Sequence, residues 1–231
     1  MNGYFTDQKS VLEIVQTTGR LNQLLIARAA LPITIEGTTA YESATGRFDA
    51  VALLQNPNKD WYVSFDYQFD TSNGFTPLMK GFLLPSEEKP VGAFNIIGAF
   101  GSSEPSFKLS NIKWRRISKH DISNVSSWLS ARNQFSASQV KVTSAYDIGL
   151  AEGRLSFELI NKNYYDYREP DFLIALWNGS TLTRVYKIHL SHFLAQETRN
   201  VEVAIPSNVP GSASIKVYPQ IDFFDSAVYL K

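Results

Sequence analysis

Two stretches of this chain lie over each other: Phe48-Asp-Ala-Val-Ala-Leu-Leu-Gln-Asn56-Pro-Asn58 and Gly153-Arg-Leu-Ser-Phe-Glu-Leu-Ile-Asn161-Lys-Asn163. Asn56 matches Asn161, and Asn58 matches Asn163. Aromatic residues follow both turns, Asp60-Trp61-Tyr62 in one half and Tyr164-Tyr165-Asp166-Tyr167 in the other. Outward from this pair the order of motifs is the same. Each half continues with a strand ending in Asn-Gly, over Phe65–Gly74 and Phe172–Gly179. A polar turn with a Glu and a base comes next, Pro85-Ser-Glu87-Glu-Lys89 against Ala195-Gln-Glu197-Thr-Arg199. A strand with Ile-Lys closes each half, Ile112-Lys113-Trp114 against Ile215-Lys216-Val217. Self-similarity in a fixed order marks an internal duplication.

The repeated unit reads as strands. Trp61, Val63, Phe65, Tyr67 and Phe69 alternate with Tyr62, Ser64, Asp66 and Gln68, the period of a half-buried strand. The other predicted strands are Phe48–Leu54, Leu78–Leu84, Val91–Phe100 and Leu109–Ile117, then Gln139–Ala145, Arg154–Ile160, Phe172–Trp177, Leu182–His189, Asn200–Ile205 and Ser214–Tyr218. Leu24–Ile35 reads as an extended apolar segment with Pro32 at an edge, and Val11–Val15 as a helical turn or two. Pro85–Pro90 reads as a polar turn, and Pro206–Ser212 as a loop. Ile122, Val125, Trp128 and Leu129 have helical spacing, with Asp121 or Ser123 as cap. Six or seven short strands per half predict an all-β chain: two tandem immunoglobulin-like β-sandwiches joined by a short helical linker. The expected boundaries are an N-terminal segment 1–23, a first sandwich 24–118, the linker 119–133 and a second sandwich 134–231. The linker is short and partly apolar, so the halves are expected to touch.

Composition narrows the function classes. Lys plus Arg number 22 and Asp plus Glu number 22, and each half, 1–118 and 119–231, holds 11 of each sign. Binding nucleic acid through phosphate neutralisation calls for a basic excess, which neither half has, so nucleic acid is not an expected partner. The absence of Cys removes disulfides, thiol nucleophiles and thiolate metal sites. No apolar run approaches the ~18 residues of a spanning helix, and the start lacks the pattern of a signal peptide. Taken as given, the chain reads as cytoplasmic. An ectodomain separated from its anchor has the same composition, so an extracytoplasmic or cell-surface place stays open.

The series of strand, Asn-x-Asn turn, Phe65-Asp-Tyr-Gln-Phe69-Asp-Thr-Ser-Asn73-Gly74 and Leu84-Pro-Ser-Glu-Glu-Lys89 resembles the FxLyD and late-embryogenesis-abundant type of β-sandwich. It is also similar to envelope proteins of small-genome bacteria that carry two such sandwiches outside an N-terminal membrane helix. The resemblance covers roughly residues 45–231. It implies a two-domain, non-enzymatic, extracytoplasmic protein, bound to a membrane only through an anchor. The membrane helix and Cys-containing stalk of that pattern do not occur here.

Reactive constellations are few. His189 and His192 are spaced as on a helix face, but on a strand they point apart. Asp166, Glu169 and Asp171 crowd one loop near Asn161 and Asn163, oxygen chemistry of the kind Ca²⁺ takes. Arg168 stands among them, and a solvated loop is the plainer reading. Lys113-Trp114-Arg115-Arg116 with Lys119 is the single basic run and holds one aromatic, against the interleaving that single strands need. Asn124-Val-Ser126 and Asn178-Gly-Ser180 match the glycosylation pattern, though a hairpin explains the second. No catalytic residue, metal site or cofactor is expected. The best binding candidates are Trp61, Tyr62, Tyr164, Tyr165 and Tyr167, because Tyr and Trp in end loops offer large contact area at low entropy cost. The expected role is a non-catalytic interaction or scaffold module of the bacterial cell envelope, with a protein or glycan partner. An adhesin or carbohydrate-binding module is the first alternative and an enzyme with an interdomain site the second.

Overall fold

The computed structural model describes residues 29–206 and 214–230. The expected turns at Val11–Val15, residues 24–28 of the expected Leu24–Ile35 segment and most of the Pro206–Ser212 loop lie outside the described residues. Two compact units divide the chain, 1–32 and 33–231. Both halves of the duplication fall within the second.

The first half contains β1 (Thr34–Ala44), β2 (Arg47–Gln55), β3 (Trp61–Thr71), β4 (Gly74–Phe75), β5 (Met79–Leu83), β6 (Glu88–Ile97) and β7 (Phe107–Arg116). The second contains β8 (Phe135–Thr143), β9 (Gly153–Asn161), β10 (Asp171–Asn178), β11 (Thr181–His189), β12 (Thr198–Ile205) and β13 (Ser214–Pro219). All pairing is antiparallel. One sheet of the first half runs β1-β2-β6, and the other places β3 between β5 and β7 with β4 beside it. The second half repeats this as β8-β9-β12 and β11-β10-β13. The strand order is therefore duplicated along with the motifs.

Alternation decides which face each strand buries. Ala50, Ala52 and Leu54 of β2 meet Val63, Phe65, Tyr67 and Phe69 of β3 in one core. Phe172, Ile174 and Leu176 of β10 meet Leu155, Phe157 and Leu159 of β9 in another. The alternate residues of β2 and β10 are also buried. Val51, Leu173, Ala175, Val185 and Tyr218 form a third cluster between the halves, with Tyr41, Phe94, Trp177 and Leu182 against it. Burying a Val or Leu side chain is worth ~1.5–3 kcal/mol, so this seam is a core in its own right. The halves touch across it.

The duplicated positions record which faces meet. Counting from Asn56 and Asn161, Val51 and Leu53 of β2 correspond to Ser156 and Glu158 of β9. Trp61 pairs with Arg116 as Phe172 does with Pro219, and Lys113 and Lys216 face the equivalent Ser64 and Ala175. Counting from there, Tyr62 and Ser64 correspond to Leu173 and Ala175. The seam positions Val51, Leu53, Leu173 and Ala175 are apolar, whereas the counterparts Ser156, Glu158 and Ser64 are polar and Tyr62 keeps a ring that packs on Phe224.

The seam also has polar contacts. Tyr41 Oη donates to Val185 O at 2.8 Å and accepts from Val185 N at 2.7 Å, so one phenol supplies a rung to the edge of β11. Arg184 donates to Glu42 O at 3.0 Å, and Lys216 pairs with Glu88 at 3.7 Å.

Several expected boundaries shift. The polar strand β1 starts at Thr34, where its composition, with Gly37 and only partial burial, hides its alternation. The helix runs Val125–Ser130 and is capped by Asn124, whose side chain accepts from Ser127 N, rather than by Asp121 or Ser123. The same bond occupies one Asn of the glycosylation pattern. The Asn-Gly pairs are not equivalent. The first hairpin closes Thr71 against Gly74 around Ser72-Asn73, while the second closes Asn178 against Thr181 around Gly179-Ser180. A short helix, Ala145–Ile148, interrupts the expected Gln139–Ala145 strand and is capped by Ser144.

Candidate functional site

The paired Asn residues build the framework of one end of each half. Asn56 is fully buried, and its Nδ2 donates to Trp61 O at 2.7 Å and Leu84 O at 2.9 Å. Its Oδ1 accepts from Asn58 N at 3.0 Å and Asn58 Nδ2 at 2.9 Å. Asn161 does the same. Its Nδ2 donates to Tyr165 O at 3.1 Å and Leu194 O at 2.8 Å, and its Oδ1 accepts from Asn163 N at 3.0 Å and Asn163 Nδ2 at 2.8 Å. A second turn completes each end. Glu87 Oε2 accepts from Leu84 N and Glu197 Oε2 from Leu194 N, both at 2.7 Å. The bases then pair with those carboxylates, Lys89 with Glu87 at 3.2 Å and Arg199 with Glu197. Two Asn, one Glu and one base thus lock the two turns together in both halves. A side chain that chelates backbone groups in this way replaces the ladder where the chain leaves the sheet.

This corrects the reading of Pro85–Pro90 as a polar turn. The turn ends at Glu87, β6 begins at Glu88, and Lys89 is 1% exposed. Its ammonium lies 3.5 Å from the centroid of the Phe82 ring. Burial pushes the Lys89 pKa below its ordinary value, and Glu87 and then Asp222 pull it back up. The Lys is spent inside the protein, where the composition alone suggested a solvated charge.

The five aromatic candidates separate. Tyr167 is fully buried, donates from Oη to Arg132 O at 2.7 Å, and exchanges backbone hydrogen bonds with Phe193. Tyr62 is half-buried at the junction of the halves, donates to Asp222 Oδ2 at 2.8 Å, and packs on Phe82 and Phe224. Tyr165 packs on Tyr229 beneath Arg132. Trp61 is half-buried at the start of β3. Tyr164 alone of the five is fully presented, 86% exposed. The structure therefore does not bring the five to one recognition surface. The path of a loop that doubles back onto Phe193 turns Tyr165 and Tyr167 inward and leaves Tyr164 outward.

The oxygen-rich loop is likewise engaged internally. Asp166 Oδ1 accepts from Ala195 N at 2.6 Å, and Asp171 contacts Lys187 at 2.7 Å and His189 Nδ1 at 2.8 Å. Glu169 lines a separate recess with Arg168 and Asp225. Among the described residues, no group of three or more His, Asp or Glu side chains converges as a metal site would. His192 sits at φ 54° and gives its carbonyl to Arg199 at 2.7 Å.

Sequence reasoning missed Leu194, 49% exposed, which shares the end of the second half with Tyr164. Gln196 Nε2 ties the two turns there by donating to Lys162 O and Asn163 O, each at 2.9 Å. The repeat alignment carried the missing signal, because it sets Leu194 over Leu84. A second feature it missed is a cleft of about 310 Å³ at the seam, lined by Trp177, Leu182, Thr38, Thr39, Glu36 and Glu104 among others. Among the described residues, no helix is long and apolar enough to cross a membrane. Neither a protein-family model nor a curated protein matches the chain.

Proposed function

We propose that the chain is a non-catalytic interaction module of the bacterial cell envelope, made of two tandem immunoglobulin-like sandwiches held as one body. The duplicated strand order supports the tandem reading: the first strand pairs with the second, the second with the strand after the Glu turn, and the third lies between its neighbours. The single observation that carries the functional reading is the seam. Its apolar cluster and the Tyr41 rung fix the halves against each other, so the surface at the end of the second half sits on a rigid support. The envelope part rests on the resemblance of the Asn-x-Asn and Leu-Pro-Ser-Glu-Glu-Lys series to two-sandwich envelope proteins. The proposed surface is the Tyr164 and Leu194 end.

The test is capture of purified envelope proteins by the wild-type chain and by Tyr164→Ser. Tyr164 is exposed, so the substitution leaves stability within about 0.5 kcal/mol. Loss of capture with unchanged stability supports the surface, and equal capture by both proteins removes it.

A carbohydrate-binding role is the second reading, and the seam cleft favours it. Trp177 lines it, together with Thr38, Thr39, Ser103 and Thr181 and the acidic residues Glu36 and Glu104. Rings and convergent polar groups are what sugar recognition uses. A glycan array probed with wild type and Trp177→Phe separates this reading from the first.

A further inference from the structure

The Asn and Glu bonds of the two turn frameworks match one for one, yet the leucine that each framework holds has a different surface. Leu84 is 3% exposed and Leu194 is 49% exposed. The turns themselves do not cause this. Both residues donate N–H to the Glu of their turn at 2.7 Å, and both carbonyls accept from the buried Asn. The difference lies in what comes over them. Leu84 belongs to the same buried cluster as Val125 and Leu129 of the linker helix. The groove beside it is lined from one side by Lys59 and Leu84–Glu87 and from the other by Ser126, Leu129, Ser130 and Asn133. On the second half, the equivalent positions Tyr164, Leu194 and Gln196 face outward.

Resting on the interaction-module reading, we propose that the Tyr164–Leu194 surface is a docking site for a short amphipathic helix of a partner protein. The chain itself supplies the precedent for the chemistry. The helix covering the first framework presents two apolar residues four apart, Val125 and Leu129, which is one face of a helix. Of the residues between them, Ser126 lines the groove beside Leu84 and is small enough to let the helix approach the turn closely, while Trp128 turns to stack on Phe224. A partner of the same pattern would bury Leu194 as Leu84 is buried, and would lay its apolar side on the ring of Tyr164. Gln196 and Lys162 stand at the rim to meet a polar flank. This is helix-in-groove recognition, with two anchors instead of a longer series.

The probe is a synthetic peptide of residues 121–133, titrated to millimolar concentration against the isotope-labelled full chain while amide resonances are followed. Shifts confined to residues 162–164 and 194–196, with at least tenfold weaker binding to Leu194→Glu, are the expected result. An absence of shifts, shifts undiminished in Leu194→Glu, or shifts at Lys59 and Leu84–Glu87 alone would overturn the proposal. The last outcome would mean that the peptide displaces its own parent helix. Melting curves of Leu194→Glu accompany the titration and are expected to match wild type. Capture of an envelope protein or glycan that depends on Tyr164, combined with a silent peptide titration, defeats the helix inference and leaves the interaction-module reading standing. Silence in both experiments defeats the two together.

Discussion

Replacing Asn161 by Ala tests the framework on which the candidate surface rests. The residue is fully buried, so every bond it makes is removed from water. Ala loses the bonds from Nδ2 to Leu194 O and Tyr165 O, and those to Oδ1 from Asn163 N and Asn163 Nδ2. At a net ~1 kcal/mol per hydrogen bond, with buried partners left unsatisfied, the expected cost is roughly 3–5 kcal/mol. For a chain of this size that corresponds to a fall in Tm of about 6–20 °C. The internal control is Asn56→Ala, which removes the matching set and is expected to cost the same within about 1 kcal/mol. The assay is urea unfolding followed by tryptophan fluorescence, with stability taken from the midpoint at constant slope. Trp61 and Trp114 report on the first half and Trp177 on the second. A cost below ~1 kcal/mol for Asn161→Ala would refute the reasoning. So would a large cost at one Asn and none at its counterpart.

Tyr167→Ala is expected to cost ~3–5 kcal/mol, the range for a large buried aromatic, whereas Tyr164→Ala stays within about 0.5 kcal/mol; equal effects would contradict the inward and outward placement. Tyr41→Phe strands the N–H and C=O of Val185, so hydrogen exchange at the Val185 amide should accelerate and stability fall by roughly 1–2 kcal/mol; unchanged protection there would remove the rung. Burial pushes the Tyr67 phenol up to about 12, above its unfolded value near 10. The unfolded chain therefore releases its proton first, and stability is lost as pH rises from about 10 to 12. Melts across that range should fall less steeply in Tyr67→Phe than in wild type. Lys89 has the opposite shift, since burial lowers its pKa, and the unfolded state holds the extra proton. Its penalty is relieved as pH rises toward ~10.5, so Lys89→Met should flatten the stability profile on the approach to that pH.

The fold class was legible because alternation is a local signal. Trp61–Phe69 announced its buried and free faces directly, and β3 alternates as read. The seam was harder to read. Asp49–Leu54 and Phe172–Trp177 are nearly continuous apolar runs, the mark of a strand covered on both sides, but only comparison of Val51 with Ser156 and of Ala175 with Ser64 tells which faces meet. The Asn-x-Asn pairs were visible as turns, while their role as buried chelators depends on Leu84 and Leu194, some thirty residues away. Lys89 misled for the same reason. A Glu-Glu-Lys cluster looks solvated until the ring of Phe82 and the far half close over it. Tyr165 and Tyr167 were sorted from Tyr164 by the path of a loop, which no periodicity encodes.

The double covering of β2 has a consequence during synthesis. Val51 completes its packing only when β10 and β11 arrive, Leu53 lines a cleft walled by Trp177 and Leu182 of those strands, and both strands lie in the later half of the chain. At roughly 5–20 residues per second, a ribosome needs on the order of ten seconds to deliver them. For that interval the nascent first half presents an apolar sheet face and an incomplete rim at Tyr41. A half-length product would keep both for good. The second half, released alone, would expose Leu173, Ala175 and Val185 in the same way, so separately expressed halves are expected to be recovered mainly as aggregates, while mixing them during refolding should rescue solubility.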